Sequence, residues 1–175
     1  MLTGKLTRLR ALEPTDAESL ARWLDDPVVS HWMVNDYPMS LAQVVKRCEE
    51  RPRNTYGNLV LCIESLREKR ALGVIALIGA EPESGWAEMS IYIGEPDFRS
   101  GGYGTDALRV VCRYGFDQMR LHGIWLVVVS ENAGARRVYE KVGFVEEGRQ
   151  RQRFYRDGKW HDLVMMSLLA DELID

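Results

Sequence analysis

The sequence lacks any apolar run near the roughly 18 residues that a membrane-spanning helix needs, and its first stretch, MLTGKLTRLR, has no apolar signal core. A soluble, cytoplasmic protein with no membrane partner is expected. Cysteine is scarce: Cys48, Cys62 and Cys112 lie far apart and form no C-x-x-C pair, so a redox pair and a disulfide framework are excluded and reduced, buried thiols are expected. His31, His122 and His161 are equally scattered, with no H-E-x-x-H and no Cys/His cluster, so no metal site is expected. An excess of positive charge is also missing. Lys plus Arg total 23 against 26 Asp plus Glu, a net charge of -3, which argues against a nucleic-acid surface and leans towards a cationic partner. Arg149, Arg151, Arg153 and Arg156 alternate beside Glu146, Glu147 and Asp157, the pattern of a solvated strand face rather than a phosphate-binding stripe. No repeat, linker or low-complexity segment interrupts the chain. At 175 residues and 46% apolar, one globular domain over residues 1–175 is expected.

The patterning that is present alternates between two periods. Residues 5–12 alternate polar and apolar and read as a half-buried strand. Thr15 and Glu18 have the T-x-x-E spacing of a capping box ahead of Leu20, Trp23 and Leu24, which predicts a helix over about 15–25. Asp26-Pro27 suits a further short helix, and Ser40 with Gln43 predicts another over about 40–51. NLVLCIES (58–65) and ALGVIALIGA (71–80), joined by LREKR, read as a strand hairpin, and WAEMSIYIG (86–94) as a third strand. A helix over about 102–119, the apolar strand IWLVVV (124–129) and a helix from Asn132 to about 142 follow. Strands near 144–155 and 161–169 meet at Arg156-Asp157-Gly158-Lys159, a hairpin signal. This order predicts a mixed α/β fold with helices on the faces of one sheet.

The stretch DFRSGGYGTDALRVV (97–111) places glycines between a strand and a helix. Free N–H groups and the helix dipole make such a junction an anion site, and glycine lets a phosphate approach. Three readings compete. The pattern G-x-x-x-x-G-K-[ST] is absent, because Thr105 follows Gly104, so a nucleotide triphosphatase is disfavoured. Gly102 to Ala107 fits G-x-G-x-x-A, which keeps a nicotinamide-dependent oxidoreductase as an alternative, although that fingerprint belongs to a run of βαβ units. The third is a turn with no ligand.

Arg99-x-x-Gly102-x-Gly104 resembles the [QR]-x-x-G-x-[GA] motif of the GNAT N-acetyltransferases, and SENAGARRVYEKVGF resembles that family's second segment through Asn132, Ala135, Tyr139, Gly143 and Phe144. The resemblance covers about residues 86–169. The ending Gly158-Lys159-Trp160-His161-Asp162 is similar to the branch holding ribosomal-protein N-terminal and spermidine acetyltransferases. It implies a GNAT fold: a central, mostly antiparallel sheet of about six to seven strands, splayed between 86–94 and 124–129. It implies acetyl-CoA as cofactor, its pyrophosphate on Arg99, Ser100, Gly101, Gly102, Tyr103, Gly104 and Thr105. Ser100 and Gly101 stand where many relatives have a glycine and a basic residue, so this loop has one cation fewer. The pantetheine arm would lie along Ile91, Tyr92 and Ile93 and beside Asn132 and Ala135, and Tyr139 would give a proton to the departing sulfur. A homodimer is common in such enzymes.

Glu88 is the candidate general base. It shares one face of its strand with Ser90 and Tyr92, and apolar surroundings would raise its pKa; the family resemblance also places such a glutamate eleven residues before the position of Arg99. The alternative is a glutamate on a solvated face. Trp32, Asp36 and Tyr37 supply aromatic faces and a carboxylate for an amine, unless Trp32 and Met33 only pack the N-terminal helices. The implied activity is acetyl transfer to a primary amine, on a peptide or protein N-terminus, a polyamine or another small molecule. A non-catalytic CoA-binding or acyl-sensing module is the second alternative.

Overall fold

Three hairpins and a crossover build the sheet from the alternation described above. In the computed structural model, which describes residues 2–33 and 37–175, the strands are β1 Thr7–Ala11, β2 Asn58–Ser65, β3 Ala71–Ile78, β4 Trp86–Ile93, β5 Gly123–Val129, β6 Val145–Arg156 and β7 Lys159–Leu169. They form one seven-stranded sheet in the order β1-β2-β3-β4-β5-β7-β6. Every neighbouring pair is antiparallel except β4 and β5, which are parallel. A parallel pair needs a crossover, and α4 Tyr103–Asp117 supplies it. The Asp157-Gly158 turn has φ of +51 and +78, as a two-residue hairpin of the primed type requires.

Helices cover both faces, as the element order predicts. On one face α4 and α5 Ala133–Val142 bury Leu108, Val111 and Val142 against Ile75, Leu77, Met89, Ile124 and Leu126. Each such fully buried aliphatic side chain contributes about 1.5–3 kcal/mol, so this is the main core. On the other face α1 Ala17–Asp25 and α3 Leu41–Glu49 bury Leu20, Trp23 and Val44 against Ala71, Val74 and Tyr92. Among the described residues, no helix is long and apolar enough to cross a membrane.

The start of α1 differs from expectation. Thr15 and Glu18 do not form the cap; the chain turns earlier, through a single 3-10 turn at Pro14–Asp16, and Asp16 accepts from the Glu13 amide at 2.8 Å. Pro14 explains the shift, since its fixed φ presets the first turn. Arg10 then holds both oxygens of Asp16 at 2.8 Å. The Ser40–Gln43 box does form, with reciprocal bonds of 2.8 and 3.3 Å. Asp26 caps the short α2 Pro27–Ser30 through the Val28 amide at 2.9 Å.

Candidate active site

The ladder between β4 and β5 holds only Trp86–Gly123, Ala87–Ile124 and Glu88–Trp125. Past Glu88, β4 follows β3, with Ile91 on Ile75 and Ile93 on Gly73, while β5 follows β7 as far as Val129 on Leu163. The sheet therefore opens into a wedge with Glu88 and Trp125 at its throat. Because β4–β5 is the only parallel pair among the described residues, the run of βαβ units that a dinucleotide site needs is not built.

At the wide end, β4 leads into a glycine-rich junction. Ser100 and Gly102 have φ of +64 and +85, and Gly102 is the N-cap of α4 with no side chain to satisfy the helix amides. The first amide to find an acceptor is that of Asp106, which donates to the Gly102 carbonyl at 2.9 Å. Among the described residues, the amides of Ser100, Gly101, Gly102, Tyr103, Gly104 and Thr105 have none. Consecutive free N–H groups at a helix start suit an anion. Gly104 adds a second clue. A Cβ built there would meet Ile93 Cγ1 at 3.7 Å, an ordinary contact, so packing within the chain tolerates a side chain. A helical glycine gives up about 0.5–1 kcal/mol relative to alanine, and the bare surface it leaves faces outwards from the chain's own packing. A pyrophosphate fits this junction.

Arg99 is placed differently from the sequence expectation. Instead of a free cation over the junction, its guanidinium pairs with Asp26 at 2.7 Å and donates to the carbonyls of Gly94 at 2.7 Å and Ile93 at 3.3 Å. The neighbouring Glu95 is buried and accepts from Arg22 at 2.6 Å, from Trp23 Nε1 at 2.9 Å and from Arg70. Burial works to raise the Glu95 pKa, and its bonds with Arg22 and Trp23 outweigh that and hold it below the usual range. Gly94 lets this join form, because a Cβ there would sit 2.1 Å from the Trp23 ring. None of Arg22, Glu95, Arg70 or Asp26 was singled out as a site residue. The one available signal was a glutamate directly ahead of Pro96 at the end of an apolar strand.

Helix α5 carries the second motif. Asn132 caps it, its Oδ1 accepting from the Ala135 amide at 3.2 Å. Gly143, at φ +114, ends it, and the Phe144 amide donates back to the Tyr139 carbonyl at 3.1 Å. This closure fixes Tyr139, which is 8% exposed and packs against Phe144 with centroids 5.8 Å apart. Burial pushes its phenol up to about 12, and among the described residues its hydroxyl has no hydrogen-bond partner.

Glu88 corrects the sequence reading in one respect. It is at the throat, but its side chain is exposed, as is that of Ser90 two residues on. The face of β4 that it shares is covered only further along, where Tyr92 meets Trp23 at 6.2 Å. The apolar cover expected around it is absent.

Trp32 packs against the last hairpin and β5. Its ring contacts Phe154 and His161 of the β6–β7 hairpin at 6.4 and 5.7 Å, and Arg156 donates to the Met33 carbonyl at 3.2 Å. His31 approaches Asp157 at 3.5 Å. Buried His161 lies 2.9 Å from Glu131, without the alignment of a good hydrogen bond. Tyr37 is 81% exposed and stands apart from this cluster, and Asp36 lies outside the described residues. Residues 31–33 and the hairpin therefore wall the side of the sheet on which Glu88 opens.

A family model described as an acetyltransferase (GNAT) domain matches residues 7–145. The putative ribosomal N-acetyltransferase YdaF of Bacillus subtilis is 30% identical over 168 residues, 94% of this chain and 91% of that protein. The spermidine N(1)-acetyltransferase of Vibrio cholerae is 31% identical over 108 residues, 62% of each chain. The crystal structure of a Vibrio cholerae spermidine N-acetyltransferase with CoA and spermine superposes with a TM-score of 0.82 at 25% identity, covering 95% of this chain and 96% of that one.

Proposed function

Because the chain belongs to the GNAT acetyltransferase family, an acetyl-CoA-dependent group of N-acetyltransferases, we propose that it acetylates a primary amine, on a peptide N-terminus or a polyamine, held on the Glu88 face of the wedge. The observation that carries this reading is the run of acceptor-less amides from Ser100 to Thr105 at one end of a wedge whose throat bears an exposed carboxylate. When bound, acetyl-CoA supplies the acetyl thioester.

The chain's own residues have four tasks. The amides of residues 100–105 hold the pyrophosphate, and Gly102 and Gly104 keep its approach clear. The β4 edge at Ile91 to Ile93, with Asn132 and Ala135, guides the pantetheine arm as a strand-like partner. Tyr139 holds the proton that the leaving sulfur takes. Glu88 accepts the amine proton through a water. A primary amine of pKa about 10.4 is only about one part in a thousand neutral at pH 7, so an acceptor at the throat matters. Trp32, with Asp36 and Tyr37, recognises the amine's substituent. The three thiols are free, which agrees with work in the cytoplasm.

CoA release, followed with a thiol reagent while acetyl-CoA meets a panel of peptide N-termini, polyamines and aminoglycosides, tests the reading. Release stimulated by a peptide amine or spermidine supports it. Thermal stabilisation by acetyl-CoA with no turnover on any amine would replace it with a non-catalytic binding module. Glu88→Gln is expected to lower kcat about tenfold or more while acetyl-CoA binding stays unchanged. A rise in the amine KM alone would make Glu88 a cation-holding carboxylate instead.

A further inference from the structure

Arg99 and Asp26 are separated by 73 positions, yet Arg99 Nη2 lies 2.7 Å from Asp26 Oδ2, and each side chain is only about a quarter exposed, 24% and 25%. The same Nη2 donates to the Gly94 carbonyl and Nε to that of Ile93. The guanidinium is thus turned back onto the end of β4, not forward over the free amides of residues 100–105. The other oxygen of Asp26 accepts from the Val28 amide and starts α2. That helix runs into His31 and Trp32, and Trp32 rests on the β6–β7 hairpin. One carboxylate therefore joins the strand leading to the cofactor junction with the segment that walls the acceptor side.

We infer that Arg99 and Asp26 form a staple that positions the Trp32 segment against the cofactor junction, so that both are positioning residues and Arg99 is not a phosphate ligand. The inference rests on the acetyltransferase reading above. An arginine that binds phosphate must present its N–H groups outwards as a fork, whereas here three of the five, on Nε and Nη2, are engaged by a carboxylate and two carbonyls, and only Nη1 is left over. The anion's needs are already met by main-chain donors, which carry no formal charge to be balanced. An ion pair this sheltered has an effect beyond that of a fully exposed one, whose contribution is small. Glu95, clamped by Arg22, Trp23 and Arg70 in the same strand-to-helix connection, keeps α1 fixed to β4, so the staple controls what lies beyond α1.

Asp26→Asn is the decisive variant, since its amide oxygen still caps Val28 while the charge is lost. Asp26→Asn and Arg99→Gln should each speed amide hydrogen exchange across residues 28–33 to the same extent. Each should lower kcat/KM for spermidine or a peptide amine about fivefold, with acetyl-CoA Kd within about twofold, and the double variant should be no worse than either single one. A phosphate-binding Arg99 gives the opposite pattern: Arg99→Gln weakens acetyl-CoA binding about tenfold or more and flattens its salt dependence, while Asp26→Asn tightens it. That pattern, or unchanged exchange across residues 28–33, overturns the staple. Hydrogen exchange needs no acceptor. If exchange rises but no amine turns over, the staple stands and the acetyl-transfer reading fails by itself.

Discussion

Replacing Tyr139 by Phe should lower turnover about a hundredfold while leaving acetyl-CoA affinity within about twofold, the size expected for loss of a general acid. The argument begins with what the substitution keeps. Tyr139 is 8% exposed and its ring packs against Phe144, so Phe preserves the apolar contacts and removes one oxygen. That oxygen makes no hydrogen bond within the described residues, yet it is not one of the buried unpaired polar atoms, so it reaches the surface of the fold. A hydroxyl at the surface of an otherwise buried ring is placed to meet a group outside the chain, and the Phe variant should be about as stable as the wild type. Burial pushes the phenol up to about 12, so it stays protonated throughout the working range. The sign follows. A phenol raised in the folded state stabilises it at pH values below about 10, its unfolded value, and loses that contribution only as pH climbs through the folded value. Tyr139 should therefore cause no alkaline fall in kcat up to about pH 9. Steady-state rates on the Phe variant and a pH profile of the wild type check both points. Unchanged turnover would reduce Tyr139 to a packing aromatic.

The residues that sequence placed well are those whose neighbours lie close along the chain. Alternation located β2, β3 and β4, Ser40 and Gln43 located α3, and the Asp157-Gly158 turn located the last hairpin, because each signal is written within a few residues. The wedge and the glycine junction were legible through the resemblance, which carries three-dimensional information that periodicity does not. What failed was orientation and cover. Alternation says that Glu88 shares a face with Tyr92, but not that α1 and α3 cover Tyr92 and stop short of Glu88. No local pattern in the Arg99 motif reveals an aspartate 73 positions earlier. Trp32 stood out as an aromatic in a loop, yet its partners Phe154 and His161 lie more than a hundred positions away in another element. Thr15 misled because a proline one residue earlier already dictated the turn.

The largest stability effect should come from Asp106→Ala. Asp106 sits in the first turn of α4, four residues past the N-cap, and is 9% exposed. Its carboxylate accepts from the amides of Lys5 at 2.9 Å, Leu6 at 3.0 Å and Thr7 at 2.9 Å, and from the Thr7 hydroxyl at 2.7 Å. Gly4 makes room for it, since a Cβ there would lie 2.4 Å from Oδ2. Truncation leaves fully buried Thr7 with two unpaired donors. At about 1–3 kcal/mol for each buried unsatisfied group, and with Lys5 and Leu6 able to turn to water, a loss of about 3 kcal/mol is expected. For a chain of this size that is a Tm lower by about 6–12 °C. Asp106→Asn should not rescue it, because its NH2 group would face an N–H donor. Burial works to raise the Asp106 pKa, but the Thr7 hydroxyl and the Lys5, Leu6 and Thr7 amides outweigh it and leave it lowered. A carboxyl lowered in the folded state stabilises above its unfolded value of about 3.9 and loses that contribution as pH falls through the folded one. Wild type and Asp106→Ala should therefore converge in stability as pH drops below about 4, which urea melts across that range would show; a gap that stays constant would mean that the loss is packing alone. The same variant separates fold from function. Asp106 holds the turn that carries the free amides, so acetyl-CoA affinity should fall with stability. A stable residual fold that still binds acetyl-CoA with wild-type affinity would mean that residues 100–105 keep their shape without the β1 anchor.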